Sequence, residues 1–198
     1  MAGTGRFAVF FDRDGTLTEE VGYVNHPRRL ALLPGAAEAV AALNRAGVPA
    51  ILATNQAGVA RGYFTEELVK VVLGRLEDLL GALGARLDAL YYCPHHPAAG
   101  EPPYRRDCDC RKPRPGMILQ AARELGIDPS RSYVVGDKIS DVVFARNAGA
   151  RGVLVLTGYG LGELTYQRAS WTVEPDHVAE NAYEAVRWIL QREGCGAG

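Results

Sequence analysis

The sequence lacks several features that would assign it to a particular class of protein. Its 198 residues contain no apolar run near the roughly 18 residues that a membrane-spanning helix needs, and the short apolar segment close to the N-terminus ends at Asp12. Positive charge is not in excess, because 22 lysines and arginines face 23 aspartates and glutamates. A surface for nucleic acid or membrane is therefore not expected. We expect a cytoplasmic monomer with one domain over residues 1–198.

Cysteine is also scarce, yet three of the four cysteines lie in one short stretch, residues 93–110. A reducing cytosol disfavours disulfides, so a metal site is the better explanation of the cluster. Three thiolates and one imidazole form a closed tetrahedral set of the kind that holds structural Zn²⁺. The predicted ligands are Cys93, His95, Cys108 and Cys110. His96 is the competing histidine, and the alternative is that reduced cysteines cluster here without a metal.

Apolar strand patterns alternate with helical patterns along the chain. Strands are predicted at residues 6–11, 48–54, 87–93, 132–137 and 151–157, and helices at 35–47, 65–83, 114–127, 140–150 and 177–191. This alternation indicates parallel βαβ units, an α/β class fold, and a sheet covered on both faces. Residues 192–198 are expected to fray. Ligands in such folds bind beyond the carboxyl ends of the strands.

Acidic side chains follow two of the predicted strands. Asp12 and Asp14 end the first strand in "FFDRDGT", and Asp137 ends another in "VVGDKISD", with Asp141 one helical turn later. Two carboxylates that face one small space can differ in acidity, so that one acts as nucleophile and the other carries a proton. Oxygen ligands without a nearby histidine favour Mg²⁺. Taken alone, an Asp-x-Asp after an apolar run is often a turn with a capping aspartate.

Groups suited to phosphate occur at two further places. Thr54 and Asn55 end the second predicted strand, where a hydroxyl, an amide and free backbone N–H groups suit a phosphoryl oxygen. Arg111 and Lys112 come directly before a predicted helix and can neutralise phosphate. A simple helix cap and a solvated basic turn are the alternative explanations.

In their order along the chain, "FDRDGT", Thr54, Lys112 and "GDKISD" resemble the four motifs of the haloacid dehalogenase (HAD) superfamily of phosphatases. The resemblance implies a three-layer, Rossmann-like α/β core with a mostly parallel central sheet. It also implies that Asp12 attacks phosphorus to form an aspartyl-phosphate, while Asp14 serves as general acid and base. Thr54 and Lys112 would stabilise the transferring phosphoryl group.

The same resemblance implies how the catalytic Mg²⁺ is held. Its ligands would be Asp12, the main-chain carbonyl of Asp14 and the carboxylate of Asp137. Asp141 would position Lys112 or a metal-bound water rather than touch the ion.

Further motifs narrow the resemblance within the superfamily. "GYVNHP", "TNQAGVARGYF", "CPHHP" and "CDCRKPRPGM" are similar to the heptose 1,7-bisphosphate phosphatases, which share a branch with the histidinol-phosphate phosphatases. This resemblance implies a Mg²⁺-dependent hydrolase that removes the C7 phosphate of D-glycero-D-manno-heptose 1,7-bisphosphate, a small phosphorylated sugar. The substrate contacts that it implies are Glu20, Val21, Gly22, Tyr23, Asn55, Gln56, Ala57, Arg111 and Lys138.

Two segments between the motifs, residues 15–53 and 55–111, are filled by predicted core elements and the cysteine-containing loop, so no separate cap domain is expected. Arg61 is a candidate for a second anionic group, with an exposed arginine as the alternative. The rival functions are a histidinol-phosphate phosphatase on the same core and a non-catalytic, zinc-stabilised interaction module.

Overall fold

Six strands form one fully parallel sheet in a computed structural model that describes residues 5–195. The spatial order of the strands is β3-β2-β1-β4-β5-β6. The strands are β1 (Val9–Phe11), β2 (Ala50–Asn55), β3 (Ala89–Cys93), β4 (Tyr133–Gly136), β5 (Arg151–Val155) and β6 (His177–Ala179). The helices are α1 (Ala36–Arg45), α2 (Glu66–Gly81), α3 (Gly116–Leu125), α4 (Ile139–Asn147), the short α5 (Gly160–Gly162) and α6 (Ala182–Arg192). The predicted α/β fold with a parallel sheet is confirmed.

The sheet separates two hydrophobic clusters, which makes the fold three-layered. On one face, Val9 and Phe11 of β1 pack with buried residues of α1, α2 and α6. On the other face, Ala8 and Phe10 pack with α3 and α4. Successive side chains of a strand point to opposite faces, so a central strand covered on both sides is apolar at every position. This explains why "AVFF" lacks the alternation of a half-exposed strand.

The sequence-based prediction of one continuous helix over residues 177–191 is wrong at its start. His177–Ala179 instead forms the edge strand β6, which pairs with β5 through Val153 and His177. The helix begins after Asn181, whose side chain accepts a hydrogen bond from Glu184 N at 3.1 Å. Asparagine at this position ends the preceding extended segment and starts the helix, because it satisfies an N–H group that has no partner within the helix.

The C-terminal segment is less frayed than predicted up to Cys195. The amide of Cys195 donates to Leu190 O at 2.9 Å, and its side chain packs against the core. Residues 196–198 of the predicted frayed tail lie outside the described residues. Within residues 5–195, no helix is both long and apolar enough to cross a membrane.

Candidate active site

Three neighbouring strands deliver polar side chains to one edge of the sheet. Asp12 follows β1, Thr54 lies near the end of β2 and Asp137 follows β4. Because these strands are parallel and adjacent, their carboxyl ends meet at the same edge. A cavity of about 300 Å³ opens there, and its lining includes Asp12, Asp14, Thr54 and Lys112.

The turn after β1 brings the main chain close to Asp137. Arg13 O accepts from the amides of Leu17 and Thr18, at 3.0 and 2.9 Å, and closes the turn. Gly15 has a φ of +78°, and a Cβ at this position would overlap the Asp137 carboxylate. Glycine is therefore required here both for its backbone conformation and for the close approach.

Three buried carboxylates, those of Asp12, Asp137 and Asp141, lie with one oxygen each within 4.8 Å of one another. The Lys112 ammonium lies 2.9 Å from Asp12 Oδ1 and 2.7 Å from Asp141 Oδ1. Burial would raise the pKa of Asp12, but the positive charge of Lys112 holds this pKa below its ordinary value. Burial would lower the pKa of Lys112, and the charges of Asp12 and Asp141 raise it instead.

Asp137 has one carboxylate oxygen that suits a cation. Its Oδ2 accepts from Tyr159 N at 2.9 Å, whereas its buried Oδ1 has no hydrogen-bond partner among the described residues. Burial raises the pKa of Asp137 to about 7. This unpartnered buried oxygen beside the Asp12 carboxylate provides hard oxygen donors, which fit Mg²⁺.

Asp141 is occupied on both oxygens. Oδ1 accepts from Lys112 Nζ at 2.7 Å, and Oδ2 accepts from Lys138 N at 3.3 Å at the start of α4. This arrangement suits a residue that positions Lys112, as the family resemblance implies.

A buried arginine, which the sequence analysis did not single out, holds Asp14. Arg13 is 2% exposed, and its Nε and Nη2 donate to the two Asp14 oxygens at 3.0 and 2.8 Å. Gln56 Nε2 donates to Asp14 Oδ2 at 3.3 Å and to Thr54 Oγ1 at 3.1 Å. Burial raises the pKa of Asp14, although the charge of Arg13 opposes this shift. A carboxyl group with a raised pKa is suited to carry a proton.

The predicted substrate contacts mostly share the cavity. Its lining includes Glu20, Gly22, Tyr23, Asn55, Gln56, Ala57, Arg111 and Lys138. Val21 is not in this lining and packs against the core instead. Arg61 is also outside the lining, and its Nη2 lies 3.3 Å from His96 Nε2. The cavity further contains Gly58, Ser140 and Tyr159, which were not among the predicted substrate contacts.

Lys138 is held at the outer part of the cavity by two neighbours. Its ammonium lies 3.4 Å from Glu20 Oε2 and 4.2 Å from the centre of the Tyr159 ring. No motif marked Tyr159, although its place shortly after a strand at the same sheet edge is a usable signal.

The four predicted zinc ligands lie together. The sulfurs of Cys93, Cys108 and Cys110 are 3.2–3.5 Å apart, and His95 Nδ1 lies 3.4 Å from Cys110 Sγ and 3.7 Å from Cys93 Sγ. Thiolate sulfurs around tetrahedral zinc are about 3.8 Å apart, given Zn–S bonds of about 2.3 Å. The sulfur separations of 3.2–3.5 Å are slightly shorter than this value. Hydrogen bonding with Cys93, and then with Cys108 and His95, lowers the pKa of Cys110 to about 5, although burial opposes this shift. His96 faces away from this group, towards Arg61.

Known proteins resemble this chain over most of its length. A family model described as HAD-hydrolase-like matches residues 109–185. The D-glycero-D-manno-heptose-1,7-bisphosphate 7-phosphatase of Thermosynechococcus vestitus is 47% identical over 93% of this chain and 95% of its own length. The D-glycero-beta-D-manno-heptose-1,7-bisphosphate 7-phosphatase of Escherichia coli K12 is 39% identical over 84% of this chain and 87% of its own.

A solved structure is similar over nearly the whole fold. The D,D-heptose 1,7-bisphosphate phosphatase of B. bronchiseptica, crystallised with magnesium and phosphate, superposes with a TM-score of 0.82. It is 33% identical, and the match covers 94% of this chain and 99% of that one. The sequence resemblance is thus confirmed, and the chain belongs to the heptose-1,7-bisphosphate 7-phosphatase family of HAD-like hydrolases.

Proposed function

We propose that this protein is a Mg²⁺-dependent phosphatase that removes the C7 phosphate of D-glycero-D-manno-heptose 1,7-bisphosphate. The observation that carries the proposal is the distribution of charge in one cavity. Asp12 and the buried Lys112 lie together at its floor, while two further cations, Arg111 and Lys138, contribute to its lining. A substrate with two phosphates needs one cationic set for the reacting group and a second for the group that remains.

In the first step, a carboxylate oxygen of Asp12 attacks phosphorus and the bond from phosphorus to the C7 oxygen breaks. Asp14 gives its proton to the leaving oxygen. Lys112, Thr54 and backbone N–H groups of the turn after β2 stabilise the charge on the phosphoryl oxygens. Bound Mg²⁺, held by Asp12, Asp137 and the main-chain carbonyl of Asp14, would supply further neutralisation of that charge.

In the second step, Asp14 takes a proton from water, which attacks phosphorus and breaks the bond to Asp12. Phosphate leaves, Asp12 is again a carboxylate and Asp14 is again protonated. One residue thus acts as acid and then as base, which is consistent with a pKa that burial raises and Arg13 restrains.

A structural role for Zn²⁺ is part of the proposal. Four protein ligands would close the coordination shell and leave no position for substrate. Arg111 Nη1 donates to the main-chain oxygen of His95 at 3.1 Å, so a fixed cysteine loop would also fix this cavity arginine.

The experiment is a phosphate-release assay with both anomers of heptose bisphosphate and with histidinol phosphate, each with and without Mg²⁺. We expect Mg²⁺-dependent turnover of the bisphosphate, and weaker turnover of histidinol phosphate because its amine would face Arg111 and Lys138. The Asp12→Asn variant should be inactive with its fold unchanged by circular dichroism. A preference for histidinol phosphate, or an active Asp12→Asn variant, would contradict the proposal.

A further inference from the structure

Asn55, the last residue of β2, directs its amide group at the main chain of Lys112. Its Nδ2 donates to Lys112 O at 3.1 Å, and its Oδ1 accepts from Lys112 N at 3.0 Å. Two hydrogen bonds of opposite direction fix both the position and the orientation of a backbone segment, as a strand partner does. The family resemblance implies a substrate contact at Asn55, whereas the geometry joins its side chain to Lys112.

Lys112 depends on such a partner because its backbone belongs to no helix or strand. It lies between the cysteine-containing loop and the start of α3, in a turn of the chain. Its side chain is nevertheless buried and must place Nζ between Asp12 and Asp141, at 2.9 and 2.7 Å. Asp141 holds the ammonium end of this side chain, and Asn55 holds the backbone end.

The other end of this connection is rigid. Asn55 is paired with Cys93 in the register of β2 and β3, and the next amide, Gln56 N, donates to Cys93 O at 2.7 Å. Asn55 therefore fixes Lys112, a loop residue 57 positions later in the chain, relative to an inner strand of the sheet.

We propose that Asn55 is a positioning residue, which holds Lys112 in place for phosphoryl transfer and does not select the sugar. This inference rests on the proposed phosphatase activity. Lys112 would act on the reacting phosphoryl group, which every substrate shares. Loss of Asn55 should therefore lower kcat by a similar factor for any phosphomonoester, whereas loss of a sugar contact would raise KM for the heptose substrate alone.

The test compares Asn55→Ala with wild type on two substrates, heptose bisphosphate and p-nitrophenyl phosphate. We expect kcat to fall about 10- to 100-fold on both, with little change in KM, because a misplacement of about 1 Å can cost that much in rate. In a Lys112→Met background, Asn55→Ala should cause less than about a 2-fold further loss, since both changes act on one group.

The chain offers a matched control in Asn44, a residue of α1 that is outside the cavity lining. Asn44 makes the same pair of hydrogen bonds, in which its Nδ2 donates to Arg86 O at 2.9 Å and its Oδ1 accepts from Arg86 N at 2.8 Å. Asn44→Ala should leave kcat on both substrates unchanged. The near-isosteric Asn55→Asp removes the donor to Lys112 O with little loss of packing, and it decides the matter if Asn55→Ala does not fold.

The outcomes separate the two proposals. A raised KM confined to heptose bisphosphate, unchanged kinetics on both substrates, or full additivity with Lys112→Met would each overturn the role of Asn55. Wild-type protein that hydrolyses p-nitrophenyl phosphate but not heptose bisphosphate would overturn the proposed substrate, while the p-nitrophenyl phosphate data would still test Asn55.

Discussion

At the scale of single residues, the site has an excess of buried negative charge. Three buried carboxylates, those of Asp12, Asp137 and Asp141, lie together, and the buried Lys112 ammonium pairs with Asp12 and Asp141. A buried carboxylate without a partner is costly, and the group takes up a proton when nothing else neutralises it. The raised pKa of Asp137, about 7, is this response. A divalent cation would neutralise the same charge without a proton.

The proton of the reaction is assigned to Asp14, and one substitution tests this role. Asp14→Asn keeps the shape of the side chain but removes its ability to release and accept a proton. We expect kcat for heptose bisphosphate to fall by about 10² to 10⁴, the range typical of a lost general acid–base group. Unchanged thermal stability would show that the site remains folded. Turnover within a factor of two of wild type would exclude Asp14 as the acid.

Arg13 was the largest omission of the sequence analysis at this scale. An arginine between two aspartates resembles an exposed turn residue, and nothing in its neighbours reveals that it is 2% exposed. Arg13→Lys should lower kcat, because a lysine cannot reproduce the two parallel hydrogen bonds to Asp14. Steady-state kinetics measures this, and we expect a loss of about 10-fold or more, in line with misplacement of a reacting group. Wild-type kcat in this variant would show that the two parallel hydrogen bonds from Arg13 to Asp14 are dispensable for catalysis.

At the scale of elements, the loop of residues 93–110 is attached at several places. Its Tyr104 hydroxyl donates to Glu66 of α2 at 2.9 Å, and Tyr92 of β3 donates to the same carboxylate at 2.8 Å. The loop contributes little to the two hydrophobic clusters. Its conformation therefore depends on polar contacts and on the proposed Zn²⁺, which would contribute folding free energy directly.

Removal of one proposed ligand tests the metal. Cys108→Ser should reduce bound zinc from one ion to none per chain, measured by elemental analysis of the purified protein, and should lower the melting temperature. Cys195→Ser is the control, because Cys195 packs against the core and lies outside the cluster. Full zinc occupancy in Cys108→Ser would refute the ligand set.

Much of the architecture followed from the sequence because strands that are buried on both faces are continuously apolar and short. β6 was missed since His177–Ala179 is only three residues long and runs into a helical pattern. The strand-end residues Asp12, Thr54 and Asp137 could be placed at one edge from topology alone. The contact between Asn55 and Lys112 could not, because it joins a strand to a loop across 57 positions and depends on how that loop folds back.

At the scale of the whole molecule, the carboxyl edge of the sheet couples stability to pH and metal. In metal-free protein the folded state holds a proton on Asp137 up to a pH of about 7, whereas the unfolded chain releases it near the ordinary value of 3.8. The folded state therefore binds more protons between these values, and its stability falls as pH rises through this window. The difference between these two pKa values corresponds to a loss of stability on the order of 4 kcal/mol.

Magnesium should reverse the loss, because it binds the folded carboxylates and competes with the proton. We expect MgCl₂ at about 10 mM, a concentration chosen to exceed a typical Kd, to raise the melting temperature clearly at pH 8 and little at pH 5. Asp137→Asn has no charge to bury, so its metal-free form should be more stable than wild type at pH 8 and respond weakly to Mg²⁺. Equal stabilisation of the wild type at both pH values would show that Asp137 does not link metal binding to protonation.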